Sequence, residues 1–208
     1  MPPSIQTIVT SGTFSLDGGT WEVDNNVYLI GDDSEVLVID PAHDHKAILD
    51  AIGGRKVVGV ICTHGHDDHI GQAVVISEQT GAPIRMHPGD LMLWDVVHPG
   101  VVPSELSDGE VLGAASLTAR VLHTPGHSPG GVCLYLPDLG VLISGDTLFQ
   151  GGPGATGRSF SDFRTILDSI RERILTLPGD TKVLPGHGGA TTVGDEAKDY
   201  QAWVARGH

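Results

Sequence analysis

The stretch that decides the fold runs from Lys56 to His69 and reads KVVGVICTHGHDDH. Its first half, Lys56–Cys62, is a nearly continuous apolar run, which is typical of a strand buried on both faces of a sheet. The second half places three histidines and two aspartates directly after that strand. His64 and His66 are two residues apart, so both imidazoles point to the same side of an extended segment. Polar groups packed this densely at a sheet edge are costly unless they bind something, which predicts a metal site.

Three further polar residues follow predicted strands elsewhere in the chain. His127 lies in the turn Thr124–Gly130, Asp146 follows the run Val141–Ser144, and His187 follows the short strand that ends at Leu184. A lone histidine in such a turn is usually a hydrogen-bonding residue, so the compact cluster at 64–69 carries the metal prediction. Neutral imidazoles together with carboxylates are ligands for zinc, iron(II) or manganese.

The remaining pattern predicts an α/β (α+β) protein. Strands occur in two groups, each followed by helices, which favours two packed sheets with helices outside. No linker or repeat divides the chain, so we expect one domain over residues 1–208. The principal predicted elements are a hairpin of Val27–Ile30 and Val36–Ile39, and helices over His45–Ile52, Ile70–Thr80, Phe163–Ile174 and Glu196–Val204.

Composition narrows the classes of partner. The 208 residues include 12 Lys plus Arg against 26 Asp plus Glu, a net charge of −14 that argues against nucleic acid. The apolar runs are shorter than the roughly 20 residues that span a bilayer, and the N-terminal residues lack a signal-peptide pattern. Only two cysteines occur, Cys62 and Cys133, which excludes a disulfide scaffold. We therefore expect a cytoplasmic protein with a small-molecule substrate, and the sequence leaves its oligomeric state open.

Four ordered motifs resemble those of the metallo-β-lactamase-fold hydrolases. They are Thr63–Gly71, Thr124–Gly130, Ser144–Phe149 and Pro185–Gly188. Within that superfamily the chain is most similar to the glyoxalase II-like thioester hydrolases, also called hydroxyacylglutathione hydrolases. The resemblance implies a four-layer αββα sandwich of two mixed β-sheets, with metals at one edge of the sheets.

The resemblance also implies the roles of individual residues. One divalent metal ion would bind His64, His66 and His127, a second would bind Asp68, His69 and His187, and Asp146 would bridge the two. Zinc is the expected metal, with iron or manganese as alternatives. A hydroxide shared by two such ions is a nucleophile near neutral pH, and Asp68 would orient the water and accept its proton.

The loop at residues 151–163 resembles the family loop beside the metals. By position, Arg158 matches a basic residue that contacts the carboxylate of the thiol, and Phe160 matches an aromatic residue of the substrate site. The helical region that helps to hold glutathione has no counterpart in the 21 residues after His187. We therefore expect a thioester of a different low-molecular-weight thiol.

Other activities share the same motifs. A persulfide dioxygenase would bind a single iron through His64, His127 and Asp146, and it is the main alternative. Lactonases and other ester hydrolases use the same ligands. A non-enzymatic di-iron electron-transfer module is a further alternative. A β-lactamase usually places another residue where Asp146 stands, and a nuclease fits poorly with the acidic surface.

Overall fold

The computed structural model describes residues 2–207, which form two six-stranded sheets. The first sheet follows the chain in order, and it changes from antiparallel to parallel pairing at its third strand. Its strands are β1 (Ser4–Leu16), β2 (Gly19–Gly31), β3 (Glu35–Ile39), β4 (Lys56–Cys62), β5 (Ile84–Met86) and β6 (Ser104–Glu105).

The second half of the chain forms the other sheet, in the order β14-β13-β10-β9-β8-β7. Only β10 and β13 are parallel, and β11 pairs with β12 in a small separate hairpin. The strands are β7 (Val111–Ala114), β8 (Leu117–His123), β9 (Val132–Leu136), β10 (Val141–Gly145), β11 (Leu148–Phe149), β12 (Gly152–Pro153), β13 (Lys182–Pro185) and β14 (Thr191–Thr192). Both sheets are therefore mixed.

Seven α-helices cover the outer faces. The helices are α1 (His45–Ile52), α2 (Asp67–Ile70), α3 (Ala73–Thr80), α4 (Leu91–Val97), α5 (Phe163–Ser169), α6 (Val193–Ala197) and α7 (Tyr200–Arg206). Residues of α1, α3 and α4 pack on the first sheet, and residues of α5, α6 and α7 pack on the second. A third apolar cluster fills the space between the sheets. Three apolar layers separate four layers of structure, which confirms the predicted αββα sandwich.

Strand β4 shows why the apolar run is continuous. Val57 and Val60 face the helices of the first sheet, whereas Val58 and Ile61 face the second sheet. The pairing with β3 slips by one residue just before Gly59, so successive residues on the same face are here three residues apart instead of two. The prediction that this strand is buried on both faces is confirmed.

Two predicted helices have different bounds in the structure. The helix predicted over Ile70–Thr80 begins only at Ala73, because the short helix α2 ends at Ile70 and Gln72 donates its backbone N–H to Pro41 O at 3.0 Å before α3 begins. The predicted closing helix is also wrong as a single element. It divides between α6 and α7, because buried Glu196 accepts a hydrogen bond from Gly151 N (2.9 Å) and fixes the end of α6.

The carboxyl ends of β4, β10 and β13 and the loop after β8 meet at one edge of the sandwich. Tyr28 on β2 donates its hydroxyl to Pro185 O (2.7 Å), and Asn26 donates its backbone N–H to Gly186 O (2.7 Å). These bonds join the two sheets next to His187. Within residues 2–207, no helix has the length and apolar character needed to cross a bilayer.

Candidate metal centre

Three histidine rings converge at this edge from two separate segments. The Nδ1 atom of His66 lies 3.0 Å from Nε2 of His64 and 3.0 Å from Nε2 of His127. His64 and His66 are buried, and His127 is partly buried. Three imidazole nitrogens at this spacing could hold one cation.

A second set lies beside the first. The Nε2 atoms of His69 and His187 are 3.2 Å apart. Asp68 Oδ2 is 3.5 Å from the first of these nitrogens and 3.2 Å from the second. Two imidazoles and a carboxylate, from α2 and from the end of β13, could therefore hold another cation.

Asp146 stands between the two sets. Its Oδ1 is 3.4 Å from Nε2 of His69, and its Oδ2 is 3.4 Å from Nε2 of His187 and 3.6 Å from Nε2 of His127. Oδ1 is buried and has no hydrogen-bond partner. A Cβ on Gly186 would lie 2.2 Å from this oxygen, so the glycine leaves the space that the carboxylate occupies. An unpartnered buried carboxylate oxygen beside imidazole nitrogens fits a shared metal ligand.

Hydrogen bonds to backbone carbonyls fix the tautomer and the orientation of the His127 and His187 rings. His127 Nδ1 lies 2.8 Å from Ala155 O, and His187 Nδ1 lies 2.8 Å from Asp24 O. A carbonyl only accepts, so each Nδ1 must carry the proton. Each Nε2 is then left with a lone pair directed at the centre, as a metal ligand requires.

Asp40, which directly follows β3, supports two further rings, those of His64 and His69. Its Oδ2 accepts from His69 Nδ1 (3.0 Å) and from the hydroxyl of Thr63 (2.6 Å), and its Oδ1 accepts from the Thr63 backbone N–H (2.7 Å). The Thr63 oxygen in turn lies 3.1 Å from His64 Nδ1. Although Asp40, His64 and His69 are close enough to form a ligand set of their own, these oxygens are already engaged. Asp40 therefore orients the rings from behind.

The pKa values of the histidines differ between the two ligand sets: those of His64 and His66 in the first set are lowered, whereas those of both histidines in the second set are raised. Burial holds the pKa of His64 well below its usual value, and burial lowers the pKa of His66 to about 3. Neighbouring imidazoles act in the same direction. These rings are neutral at physiological pH, which is the form that coordinates a metal.

The second half of the centre is dominated by its acids. Burial disfavours protonated His69 and His187, but Asp68 and Asp146 outweigh it. The pKa of His69 is held well above its usual value, and that of His187 is raised to about 10. Burial likewise favours the neutral acids, yet the histidines hold the pKa of Asp68 low and that of Asp146 far lower. The two buried carboxylates, of Asp68 and Asp146, require positive charge beside them. In the metal-free protein, the protons on His69 and His187 supply that charge.

A pocket of about 240 Å³ opens onto the centre. Phe14 and Val23 of the β1–β2 hairpin form one wall, and Arg158 forms another. The guanidinium of Arg158 lies 3.8 Å from the ring centroid of Trp21 and 5.4 Å from that of Phe14, a cation–π arrangement. Phe160 does not line this pocket; it lies in a neighbouring cavity. The two predicted substrate residues thus line different cavities.

The sequence profile described as "Metallo-beta-lactamase superfamily" matches residues 20–187. The chain belongs to the metallo-β-lactamase superfamily. That fold binds divalent metals, and this chain has clustered histidines and aspartates that could hold them. This agrees with the superfamily expected from the four motifs.

Three similar proteins place the chain within the superfamily. A Bacillus subtilis protein named "Probable metallo-hydrolase YqgX" is 35% identical over 183 residues, which cover 81% of this chain and 87% of that protein. The hydroxyacylglutathione hydrolase GloC of Haemophilus influenzae is 30% identical over 190 residues, covering 83% and 90%. The structure of TTHA1623 in a di-iron-bound form has a TM-score of 0.76 and 33% identity, covering 85% and 93%. The chain is similar to hydrolases along most of its length.

The superfamily centre has a support that the sequence analysis missed. Asn25, buried on β2, donates its amide to Asp68 Oδ2 at 3.1 Å. Its Oδ1 is 2.7 Å from Nε2 of His43, which must donate. A Cβ on Gly12 would lie 2.2 Å from the His43 ring, so β1 needs a glycine there. No local motif marks this chain of contacts, because its members are far apart in sequence.

Asp90 is a second support that no motif revealed. It is fully buried between the two loops that carry the first set of histidines. Its Oδ2 accepts from Gly65 N (2.8 Å) and from the Ser128 hydroxyl (2.7 Å), and its Oδ1 accepts from Gly130 N (2.5 Å). Burial raises the pKa of Asp90, and the three donors act against that rise. Asp90 therefore joins the His64–His66 loop to the His127 loop.

Proposed function

We propose that this chain is a binuclear metal-dependent hydrolase that cleaves thioesters of a small anionic thiol. One observation carries the proposal: two convergent ligand sets share Asp146, and the pocket that opens onto them also holds the guanidinium of Arg158. The first part suits hydrolysis at a carbonyl, and the second suits a substrate with a carboxylate.

The seven candidate ligands form two sets, one for each proposed cation. His64, His66 and His127 would hold one divalent cation, Asp68, His69 and His187 would hold the other, and Asp146 would contact both. Such a pair of cations supplies Lewis-acid polarisation of a carbonyl and lowers the pKa of water to about 7. Zinc fits this ligand set, and iron fits equally on the chemistry of the donors.

Asp68 is the group proposed to handle the proton. Its side chain lines the pocket, and its Oδ2 is held by the Asn25 amide at 3.1 Å. In the metal-free protein, the charge of His69 and the hydrogen bonds keep the pKa of Asp68 below the usual value against the effect of burial. In the loaded protein, the cations would replace that positive charge and keep the carboxylate ionised. An ionised, fixed carboxylate can orient a water molecule and accept its proton.

A thioester suits the groups present. Water adds its oxygen to the carbonyl carbon, the C–S bond breaks with its electron pair on sulfur, and the products are a carboxylate, a thiol and one proton. A thiolate leaves without a strong general acid, and the pocket offers none beyond the centre itself. Arg158 would bind the carboxylate of the thiol, since stacking on Trp21 limits its conformations. Similarity to GloC makes glutathione one thiol to test.

Metal content and turnover test the proposal together. Protein purified without chelators should contain about two zinc, iron or manganese ions per chain by elemental analysis. It should hydrolyse S-acyl thioesters of glutathione or of another small thiol, followed by release of free thiol. Asp146→Ala should lose metal and turnover, whereas Asp138→Asn should keep both, because Asp138 lies in an exposed turn before the amino end of β10 and Asp146 follows the opposite end of that strand.

The alternatives give different results in the same preparation. One iron per chain, with oxygen uptake on a persulfide and no release of thiol from the thioesters, would establish the dioxygenase instead. Hydrolysis of a lactone or a β-lactam but of no thioester would keep the metallo-hydrolase and refute the substrate. Two metals with no activity on any of these would favour electron transfer.

A further inference from the structure

A second cavity also borders His66, and Arg158 is absent from its lining. Its volume is about 450 Å³, within the range of small-molecule sites. It is formed by the tip of β1, the loop that carries His66, helix α4 and Phe160. His66 also lines the pocket of the metal centre, so one ring is the shared wall of both spaces.

The surface of this cavity is apolar although it is open to solvent. Met92 and Val96 of α4 are 44% and 81% exposed, and Phe160 is 55% exposed. Exposed apolar side chains grouped around a cavity mark a binding surface. Phe160 is held here with a positive φ of 69°, an uncommon conformation for an aromatic residue. The loop therefore directs this ring to the cavity at some cost in backbone energy.

The charges indicate which part of a substrate fits. Asp67 is the one charged side chain among the lining residues, and its carboxylate already accepts from Ser15 N at 3.1 Å. An anionic group would meet an acid there and no cation. In the pocket of the metal centre, by contrast, Arg158 offers a cation. The pocket and the cavity therefore differ in the charge of their linings, and His66 lines both.

We propose that the cavity between α4 and the tip of the β1–β2 hairpin binds an aliphatic acyl chain, so that the substrates are thioesters of medium-chain acids. This inference rests on the proposed function. The carbonyl would lie at the metal centre, the thiol would extend toward Arg158, and the acyl chain would pass His66 into the apolar cavity. Val96 and Phe160 would contact the chain and act as specificity-determining residues.

A series of S-acyl glutathiones from acetyl to octanoyl tests this on the metal-loaded protein. A fully buried methylene improves binding about fourfold, and a groove that covers half of it improves binding about twofold. Six added methylenes should therefore raise kcat/KM about 60-fold. In Val96→Asp the rise should fall below about fivefold, because the chain would lie against a carboxylate.

Val102→Asp is the matched control. Val102 is 83% exposed, close to the 81% of Val96, but it lies outside the cavity lining. It should retain the full dependence on chain length. A flat series in the wild-type protein, or an equal loss in both variants, would overturn the acyl site while leaving thioester hydrolysis intact.

Binding of free acids tests the site without turnover. Octanoate should bind the metal-loaded protein more tightly than acetate by calorimetry, and Val96→Asp should remove the difference. This measurement applies even if no thioester is cleaved, so the two proposals fail separately. Equal binding of both acids would overturn the site. A Val96→Asp variant that becomes monomeric by light scattering, with unchanged chain-length dependence, would show that the face joins two copies of the chain instead.

Discussion

Asp90→Asn tests whether the centre depends on a residue that touches no ligand atom. The substitution keeps the shape of the side chain and replaces one acceptor oxygen by an NH₂ donor. If that group faces Gly130 N, two donors meet where the native distance is 2.5 Å. If it faces Gly65 N, the native 2.8 Å bond is lost, and only the Ser128 hydroxyl can turn to accept. Either orientation leaves one buried N–H without an acceptor.

The expected loss follows from that count. A buried unpaired donor costs about 1–3 kcal/mol. For a chain of this length about 2 kcal/mol corresponds to a fall of about 4–8 °C in Tm. Because the carboxylate joins the loops that carry His66 and His127, metal affinity at the first set should fall about 10- to 100-fold, as for other outer-sphere supports.

Two measurements decide the matter: calorimetric Tm of the metal-free protein, and metal affinity by competition with a chromogenic chelator. Asp162→Asn is the control, since Asp162 is an exposed N-cap that accepts from Thr165 N (2.7 Å) and asparagine caps equally well. Asp90→Asn with wild-type Tm and metal affinity would refute the supporting role. A lower Tm with unchanged affinity would limit Asp90 to stability.

Three further perturbations address the centre and its pocket. Gly186→Ala should reduce metal content, because its Cβ would lie 2.2 Å from Asp146 Oδ1, whereas Gly113→Ala meets no atom within 4 Å; equal metal in both by elemental analysis would contradict this. In the metal-free protein, the pKa of His187 is raised to about 10 from an unfolded value of about 6.5, so its contribution to stability is complete below pH 6.5 and is lost as the pH rises through 10. Tm should fall over that range, with a smaller slope in His187→Gln. Arg158→Ala should raise KM for an anionic thioester about tenfold with little change in kcat, and an unchanged KM in steady-state assays would remove Arg158 from substrate binding.

The sequence predicted correctly those helices whose ends are set by neighbouring residues in the chain. Helix α1 begins and ends where the sequence placed it, because Asp44 caps Ala47 N and Gly53 ends the helix with a positive φ. The break between α6 and α7 was missed, since it depends on contacts of Glu196 with the segment near Gly151 rather than on propensity. The β1–β2 hairpin could have been found from Asp17-Gly18, a pair typical of a tight turn.

The same division holds for the centre. The histidine cluster at residues 64–69 could be recognised from the sequence because its members share one short segment. The structure brings His127, Asp146 and His187 to this cluster from the ends of other strands. Asp90 and Asn25 act on partners 25 and 43 residues away in sequence, and no spacing rule connects such pairs. The position of Phe160 was also beyond local reasoning, because the direction of its side chain is set by the loop conformation.

The tip of the β1–β2 hairpin, residues 14–23, contributes to the substrate pocket but supplies no metal ligand. Every candidate metal ligand lies outside it, whereas Phe14, Trp21 and Val23 of the hairpin lie over the pocket or against Arg158. Its far end is attached to the rest of the chain by polar contacts such as Ser15 N to Asp67. Asp24 and Asn25, further along β2, hold His187 and Asp68, so only the tip at residues 14–23 can vary independently. Exchange of this tip between homologues would transfer the preference for a substrate while the metal ligands and their supports stay the same.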